Sequence, residues 1–295
     1  MCLLYAVPPA CYDTNKKAIF QLKEGEGRMT QPQRRRYLLQ ALLQERPEYR
    51  DLAVPQDTAG QKQLLRALLN VREAAPCSPE FIRVQDEYLQ AETAAKGITD
   101  VNSLCPVREG LYLWQGDITT LRCDAIVNAA NSGMTGCYVP NHRCIDNCIH
   151  TFAGVELRNA CDRLMRRQGR PEPTGTAKIT PAYNLPCRYV LHTVGPIIMG
   201  RVTQHDRELL ASCYQACLSL AAEHGLESVA FCCISTGEFH FPNAEAAAIA
   251  VQTVTGFLRQ NTPLKKVIFN VFKDTDRQIY EQLLRPDCKP AHSAG

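Results

Sequence analysis

Two thiols, an imidazole and a carboxylate lie within ten consecutive positions near the middle of the chain. Cys137, His142 and Cys144 carry the sulfur and nitrogen atoms that zinc prefers as ligands. Three protein ligands leave a fourth position open for water or substrate, and the carboxylate of Asp146 follows two residues after the last of them. If Cys148 points away, the spacing predicts a hydrolytic zinc centre. The alternative is a set of buried, reduced cysteines, because the chain contains 15 cysteines.

The composition is that of a globular protein without unusual charge. A chain of 295 residues is long enough to bury a full core and suits one large domain with an appendage. The net charge of +3 lacks the electrostatic footprint of a nucleic-acid-binding protein. An odd number of irregularly spaced cysteines favours a reducing compartment, with a cytoplasmic location as the default. We expect neither a signal peptide nor a membrane span, which needs roughly 18 uninterrupted apolar residues.

The first hundred residues differ in pattern from the rest of the chain. Residues 1–30 have no sustained period and are predicted to be a loose lead-in. Residues 31–107 carry apolar side chains at helical spacing and are predicted to form a small helical subdomain that packs on the larger domain and overhangs its cleft. We interpret its apolar stripes as core and not as a ligand site. The three predicted helices cover residues 34–45, 61–72 and 79–95.

From about residue 108 the pattern alternates between strands and helices. Such alternation predicts an α/β fold with a mostly parallel sheet between helical layers. In this architecture ligands bind beyond the carboxyl ends of the strands. The predicted strands are 111–115, 125–128, 189–193, 228–233 and 267–271, and the predicted helices are 155–167, 206–224 and 243–259.

Five short motifs follow one another in this second part of the chain. They are GDIT at 116–119, NAAN at 128–131, TGTA at 174–177, HTVGP at 192–196 and STGEF at 235–239. Each is common by itself, but in this order they resemble the macrodomain family of ADP-ribose-binding modules, over roughly residues 108–285. The segment 137–144 stands where many macrodomains have a run of glycines. That insertion, with the preceding helical region, is similar to the zinc-dependent branch of the family, whose members are protein ADP-ribosyl hydrolases.

The resemblance implies where each part of ADP-ribose binds. The carboxylate of Asp117 would accept a hydrogen bond from the adenine amino group, the amide of Ile118 would meet a ring nitrogen, and Phe272 would stack on adenine. Asn131 would lie at the distal ribose, which carries the scissile bond. The alternatives are an Asp117 that caps the next turn, a Phe272 in the core and an ordinary turn after the strand. The loop that would cradle the diphosphate through its amides comprises Ser235, Thr236, Gly237, Glu238 and Phe239.

The same resemblance places Asp146 at the start of a helix beside the distal ribose. There its carboxylate would orient or deprotonate water, or bind a ribose hydroxyl. Asn131 would assist at the ribose, and Glu238 from the opposite loop would be a second carboxylate over it. The alternative is that Asp146 only caps the helix. His150 shares its helical face, and we interpret it as a satisfied core histidine in preference to a partner of Asp146.

The sequence therefore predicts a macrodomain-like, three-layer α/β/α fold at 108–288, preceded by the helical region and followed by a tail at 289–295. The predicted activity is zinc-dependent hydrolysis that removes mono-ADP-ribose from modified protein side chains and releases ADP-ribose. One zinc ion per chain would orient the substrate more than it generates hydroxide, because two thiolates make it a weak Lewis acid. The partners are ADP-ribose and mono-ADP-ribosylated protein. The alternatives are a non-catalytic reader with a structural zinc and a hydrolase of small O-acyl-ADP-ribose conjugates.

Overall fold

The computed structural model describes residues 29–285, and from Gln31 onward these residues belong to one compact unit. Three helices come first, and alternating strands and helices follow. The predicted tail at 289–295 and nearly all of the predicted lead-in at 1–30 lie outside the described residues. Within 29–285, none of the helices is both long and apolar enough to span a membrane.

The first part of the described chain consists of helices α1 (Gln31–Glu45), α2 (Thr58–Val71) and α3 (Pro79–Lys96). The three predicted helices are thus confirmed, to within three residues at each end. The side chains of Asp57 and Ser78 cap α2 and α3, which fixes where these two helices begin. The predicted apolar stripes are core, because their main members are buried: Leu38, Leu42, Leu65, Leu68, Leu69, Phe81, Val84, Tyr88 and Leu89.

A central sheet of six strands organises the rest of the described residues. Its strands are β2 (Leu111–Gln115), β4 (Ala125–Ala129), β5 (Ala177–Pro181), β6 (Tyr189–Thr193), β7 (Ser228–Phe231) and β8 (Lys266–Val271). Their order is β2-β8-β7-β4-β6-β5, and all neighbours are parallel except β5, which runs antiparallel to β6 at one edge. Two short strands, β1 (Thr99–Asp100) and β3 (Leu121–Arg122), form a separate parallel pair.

Helices cover the sheet in two groups. Helices α4 and α5 pack against each other and contact β4 and β5, whereas α6, α7 and α8 pack in succession and contact β2, β5, β6 and β8. The predicted α/β fold with a mostly parallel sheet between helical layers is therefore confirmed. The helices are α4 (Ile145–Ala153), α5 (Val155–Gln168), α6 (Gln204–Glu223), α7 (Asn243–Leu258) and α8 (Asp274–Leu283).

Three elements of the central sheet and its helices differ from the sequence prediction, and the two-residue strands β1 and β3 were not predicted. Strand β5 was missed, and it is a short edge strand ending at Pro181, where a proline is tolerated because its missing amide is not needed. Helix α8 was missed because it is short and mostly polar, with Ile279, Tyr280 and Leu283 as its only apolar residues. Strand β7 ends at Phe231 instead of at residue 233, because its pairing with β8 stops there and the next residues enter a loop.

The core lies on both faces of the sheet. Val127, Leu191, Val229 and Ile268, on four different strands, are completely buried. Burial on both faces explains why these strands are mostly apolar and lack a regular alternation with polar residues. The resulting rigid sheet fixes the positions of the loops that leave its carboxyl ends.

Candidate active site

Four adjacent strands present the predicted binding residues along one edge of the sheet. Asp117 follows β2, Phe272 follows β8, the loop 235–239 follows β7, and Asn131 follows β4. The strands β2, β8, β7 and β4 are neighbours in this order and run parallel, so the four groups succeed one another along the carboxyl edge. The four groups thus follow the same order as the parts of ADP-ribose predicted to bind them, from adenine through the diphosphate to the distal ribose.

The predicted metal ligands lie together in the segment 135–144, here called the metal loop. The ligand atoms of Cys137, His142 and Cys144 are all within 4.8 Å of one another. The Cys137 Sγ lies 3.4 Å from Nδ1 of His142. Cys148 is outside the cluster, because its Sγ accepts a hydrogen bond from Arg66 at 3.4 Å. Among residues 29–285, the arrangement is thus a set of three predicted ligands and not a closed set of four.

The second ring nitrogen of His142 reaches across to the loop that follows β7. Its Nε2 lies 3.5 Å from a carboxylate oxygen of Glu238, whose side chain is largely exposed. A metal-binding histidine commonly uses its other nitrogen to contact a carboxylate, which sets the orientation of the ring. In this structure, the carboxylate of Glu238 therefore contacts His142, a predicted zinc ligand.

Cys144 also determines where α4 begins. Its Sγ accepts a hydrogen bond from the amide of Asn147 at 3.4 Å, so this thiol is the N-cap of the helix. Burial raises the pKa of the Cys144 thiol to about 12. Binding of a metal at this sulfur would accordingly release a proton. Because Cys144 fills the cap, Asp146 falls in the first turn of α4.

Asp146 is buried and is held by two asparagines. One carboxylate oxygen accepts a hydrogen bond from Asn128 Nδ2 at 2.8 Å, and the other accepts one from Asn131 Nδ2 at 3.2 Å. The alternative in which Asp146 caps the helix is therefore wrong, since Cys144 does so. Burial raises the pKa of Asp146 to about 6, although the hydrogen bond from Asn128 and the charge of Arg158 act to lower it.

His150 is buried as a core histidine would be, but it is not satisfied. Within the described residues neither of its ring nitrogens has a hydrogen-bond partner, and its Nε2 lies 3.6 Å from Asp146 Oδ1. Burial lowers the pKa of His150 well below its usual value, so the ring is neutral. The backbone of Gly136, at φ +89°, packs against it, and a Cβ there would meet the ring at 2.8 Å. A glycine is thus needed where the metal loop passes His150.

Asn131 joins β4 to the metal loop. Its amide nitrogen donates to the carbonyl of Gly136 at 3.1 Å as well as to Asp146, and its Oδ1 accepts from the amide of Gly133 at 2.9 Å. The side chain therefore folds the segment after β4 into a tight turn. The predicted ribose residue and the predicted catalytic carboxylate are brought into direct contact.

Asp117 caps the short 3-10 helix Ile118–Thr120, as the alternative interpretation had it. Its Oδ1 accepts hydrogen bonds from the amide of Thr119 at 3.0 Å and from its hydroxyl at 2.6 Å. Its Oδ2 contacts Nζ of Lys96, the last residue of α3, at 3.1 Å. Partial burial acts to raise the pKa of Asp117, but the bonds from Thr119 and the charge of Lys96 outweigh it and lower the pKa. Capping therefore occupies Oδ1, and Oδ2 pairs with the partly exposed Lys96.

Phe272 is on the surface, with 76% of its area exposed. The alternative that placed it in the core is wrong. Single exposed apolar side chains are common at protein surfaces, and the exposure of this ring leaves its faces accessible to a ligand. Phe272 directly follows β8, which pairs with β2, the strand that leads to Asp117.

The loop after β7 is a strained turn around a buried serine. Ser235 has φ +64° and is buried, and its carbonyl accepts a hydrogen bond from the amide of Phe241 at 2.9 Å. Position 195, in the neighbouring segment, requires a glycine, because a Cβ there would lie 2.0 Å from the hydroxyl oxygen of Ser235. The amides of Gly237, Glu238 and Phe239 find no backbone acceptor within residues 29–285. Free amides after a parallel strand are the groups that bind phosphate.

Comparison with known proteins decides the family. A model of the Macro domain matches residues 127–250. A Treponema medium protein named "Protein-ADP-ribose hydrolase" is 56% identical over 260 residues, which cover 87% of this chain and all of that protein. The chain belongs to the macrodomain family. A Staphylococcus aureus (strain MSSA476) protein of the same name is 48% identical over 255 residues, covering 86% of this macrodomain chain and 96% of that protein.

Solved macrodomains share the fold of this one. The Trypanosoma brucei macrodomain in complex with ADP-ribose is 30% identical, with a TM-score of 0.58, and the match covers 74% of this chain and 94% of that one. The Oceanobacillus iheyensis macrodomain with ADP is 37% identical, with a TM-score of 0.55 and coverage of 61% and 93%. The ligands in these two structures, ADP-ribose and ADP, both contain an adenosine diphosphate.

Two residues of the macrodomain site had no predicted role. Asn128 is the first residue of the NAAN motif at 128–131, and a polar side chain in a strand buried on both faces is a signal that it has a specific partner. Lys96 gave no such signal, because a lysine in the last turn of a helix is usually explained by the helix dipole. Its contact with Asp117 depends on how α3 packs, which spacing along the chain does not reveal.

Proposed function

We propose that this macrodomain is a zinc-dependent hydrolase that removes mono-ADP-ribose from modified protein side chains and releases free ADP-ribose. The observation that carries the proposal is the position of Asp146. It is buried, it contacts the predicted ribose residue Asn131, and it lies in the first turn of the helix that the ligand Cys144 caps. Relatives at 56% and 48% identity bear the name protein-ADP-ribose hydrolase, which supports the same activity.

The donor atoms of the metal loop suit zinc. Two sulfurs and one nitrogen within 4.8 Å of one another are a combination that zinc accepts in sites that keep one position open. Cys137, His142 and Cys144 would hold the ion. When bound, zinc would supply Lewis acidity beside the distal ribose, where it serves to orient the substrate.

The residues along the carboxyl edge would bind the successive parts of ADP-ribose. Asp117 and the amide of Ile118 would bind adenine, and the exposed ring of Phe272 would stack on it. The free amides of the loop 235–239 would hold the diphosphate, as amides at the start of helices hold phosphates. The side chain of Asn131, which donates to Asp146, would meet the distal ribose, so the bond to the modified side chain would lie next to Asp146.

Asp146 would act on the water that hydrolyses this bond. Its carboxylate accepts a proton from water as the water oxygen attacks, and then returns the proton to the departing side chain. Asn128 and Asn131 each donate to a different oxygen of the carboxylate, so its plane is fixed before substrate binds. Such fixed geometry is what makes a catalytic group effective.

The proposal is tested by incubating the purified protein with a mono-ADP-ribosylated protein and measuring the release of free ADP-ribose. Release should occur, should stop after removal of metal by a chelator and should return when zinc is added. A reader would bind the modified protein and release nothing. An enzyme for small conjugates would hydrolyse O-acyl-ADP-ribose but leave the modified protein intact. Release that continues in metal-free protein would remove zinc from the proposal.

A further inference from the structure

Helix α2, in the helical region that precedes the sheet, contacts the metal loop directly. Arg66 Nη2 donates to the carbonyl of His142 at 2.8 Å and to Oδ1 of Asn147 at 3.0 Å. Asn147 in turn donates to the carbonyls of Cys137 at 3.2 Å and Val139 at 3.0 Å. One arginine of α2 therefore holds the backbone of one predicted ligand directly and the backbone of a second through Asn147.

Asn70, one turn further along α2, makes an independent contact. Its Oδ1 accepts a hydrogen bond from the amide of Asn141 at 2.9 Å, and its Nδ2 donates to the hydroxyl of Thr151 at 2.9 Å. Asn141 has φ +56°, which is uncommon for a residue with a side chain and requires support from its surroundings. Asn70 is almost completely buried, so water does not compete for these hydrogen bonds.

Arg158 of α5 ties the end of α2 to the beginning of the metal loop. Its Nη1 donates to the carbonyls of Leu69 at 3.1 Å and Asn70 at 2.9 Å. Both carbonyls lie in the last turn of α2, where no amide of the helix is available to donate to them. Its Nε donates to the carbonyl of Thr135 at 2.7 Å, and its guanidinium lies 4.4 Å from the ring centre of Tyr138. The helix end and the loop thus share one cation.

From these contacts we infer that α2 is the positioning element of the metal loop, and that Arg66 and Asn70 are positioning residues for the zinc ligands. The inference rests on the proposed function, because it gives the helical region a part in holding the metal. The ligand atoms of Cys137, His142 and Cys144 all lie within 4.8 Å of one another, in the loop that these contacts hold. Polar groups that orient metal ligands typically change metal affinity by roughly 10- to 100-fold.

The test compares Arg66→Met with the unmodified protein in a zinc-competition titration against a chromophoric chelator. Methionine keeps an apolar stem but removes every donor, so zinc affinity should fall about 10- to 100-fold. In metal-free protein, the amides of Asn141 and His142 should exchange hydrogen for deuterium faster than before. Arg66→Lys, which retains one donor group, should recover part of both losses. Asn70→Ala should produce the same two effects through the other contact.

Arg83→Met is the matched control, because Arg83 is on the neighbouring helix α3 and pairs only with Glu80 and Glu87 of that helix among the described residues. It should leave zinc affinity and loop exchange unchanged. Unchanged affinity and exchange in Arg66→Met would overturn the inference, and so would equal losses in Arg66→Met and Arg83→Met. If the unmodified protein bound no zinc, the proposed function would fail, and the exchange measurement would still decide whether α2 holds the loop.

Discussion

The amide nitrogen of Asn128 lies 2.8 Å from a carboxylate oxygen of Asp146, and both side chains are buried. Asn128 is part of β4, so the sheet itself sets the position of the carboxylate. The same amide faces His192 Nδ1 at 3.2 Å, and His192 Nε2 lies 2.9 Å from the hydroxyl of Thr180. Because an amide NH2 only donates, His192 accepts at Nδ1 and carries its proton on Nε2. Asn128, which donates to Asp146, is therefore itself held through His192 by Thr180.

Metal content should follow the three ligands and not the fourth nearby cysteine. Protein purified without added metal should contain close to one zinc per chain, and Cys144→Ala should lose it, because a site of three protein ligands cannot spare one. Cys148→Ala is the control, since its sulfur contacts Arg66 outside the cluster, and it should keep its zinc. Elemental analysis measures both. Stoichiometric zinc in a Cys137→Ala, Cys144→Ala double variant would place the metal elsewhere.

Adenine recognition should depend on Asp117. A hydrogen bond to a charged group contributes about 1.5 to 3 kcal/mol, so Asp117→Ala should weaken ADP-ribose binding roughly tenfold or more in calorimetric titration. Asp117 also pairs with Lys96, and loss of that pair is a competing explanation. Lys96→Met separates the two, because it removes the ion pair and keeps the carboxylate. Equal weakening by both variants, or an unchanged dissociation constant in Asp117→Ala, would contradict this assignment.

Much of the fold was readable from the sequence because the strong patterns are local. Apolar period and turn residues located α2, β2 and β6 to within a few residues. The spacing of Cys137, His142 and Cys144 singled out three predicted metal ligands, whose ligand atoms lie within 4.8 Å of one another. The contacts that hold those ligands were not readable. Arg66 and Asn70 meet the metal loop more than 70 positions away, and such pairs depend on helix packing and not on any local period.

Stacking on adenine should depend on Phe272 without affecting stability. Base stacking on an aromatic ring contributes about 1 to 3 kcal/mol by alanine substitution, so Phe272→Ala should weaken ADP-ribose binding roughly 5- to 150-fold. Phe272→Tyr should bind nearly as well as the unmodified protein because it keeps the ring. The exposed side chain packs little, so the melting temperatures of all three proteins should agree. Undiminished binding by Phe272→Ala would show that adenine lies elsewhere.

Acid should destabilise the fold through His192. Burial lowers the pKa of His192 from 6.5 to about 4, so between these values the unfolded chain binds a proton that the folded chain does not. Its contribution is fully present above pH 6.5 and is lost as the pH falls to about 4. Asp146 acts in the opposite direction, because its pKa is raised to about 6. The comparison with a His192→Gln variant cancels that opposing contribution, since both proteins retain Asp146.

The measurement is the free energy of unfolding by urea, in metal-free protein, at several pH values. Relative to His192→Gln, the unmodified protein should lose on the order of 3 kcal/mol as the pH falls through this window. His205→Gln, at the exposed start of α6, serves as the control and should run parallel to the unmodified protein. A difference between the unmodified protein and His192→Gln that does not vary with pH would contradict the burial argument.

The most direct test of the proposed hydrolysis is the rate at which Asp146→Ala releases ADP-ribose from a mono-ADP-ribosylated protein. If the carboxylate positions or activates water, release should slow about a hundredfold or more, in line with general acid or base contributions. Zinc content and ADP-ribose affinity are measured on the same folded sample and should stay close to those of the unmodified protein, because Cys144 and not Asp146 caps α4. Full turnover by a folded, zinc-loaded Asp146→Ala protein would contradict the mechanism proposed for this site.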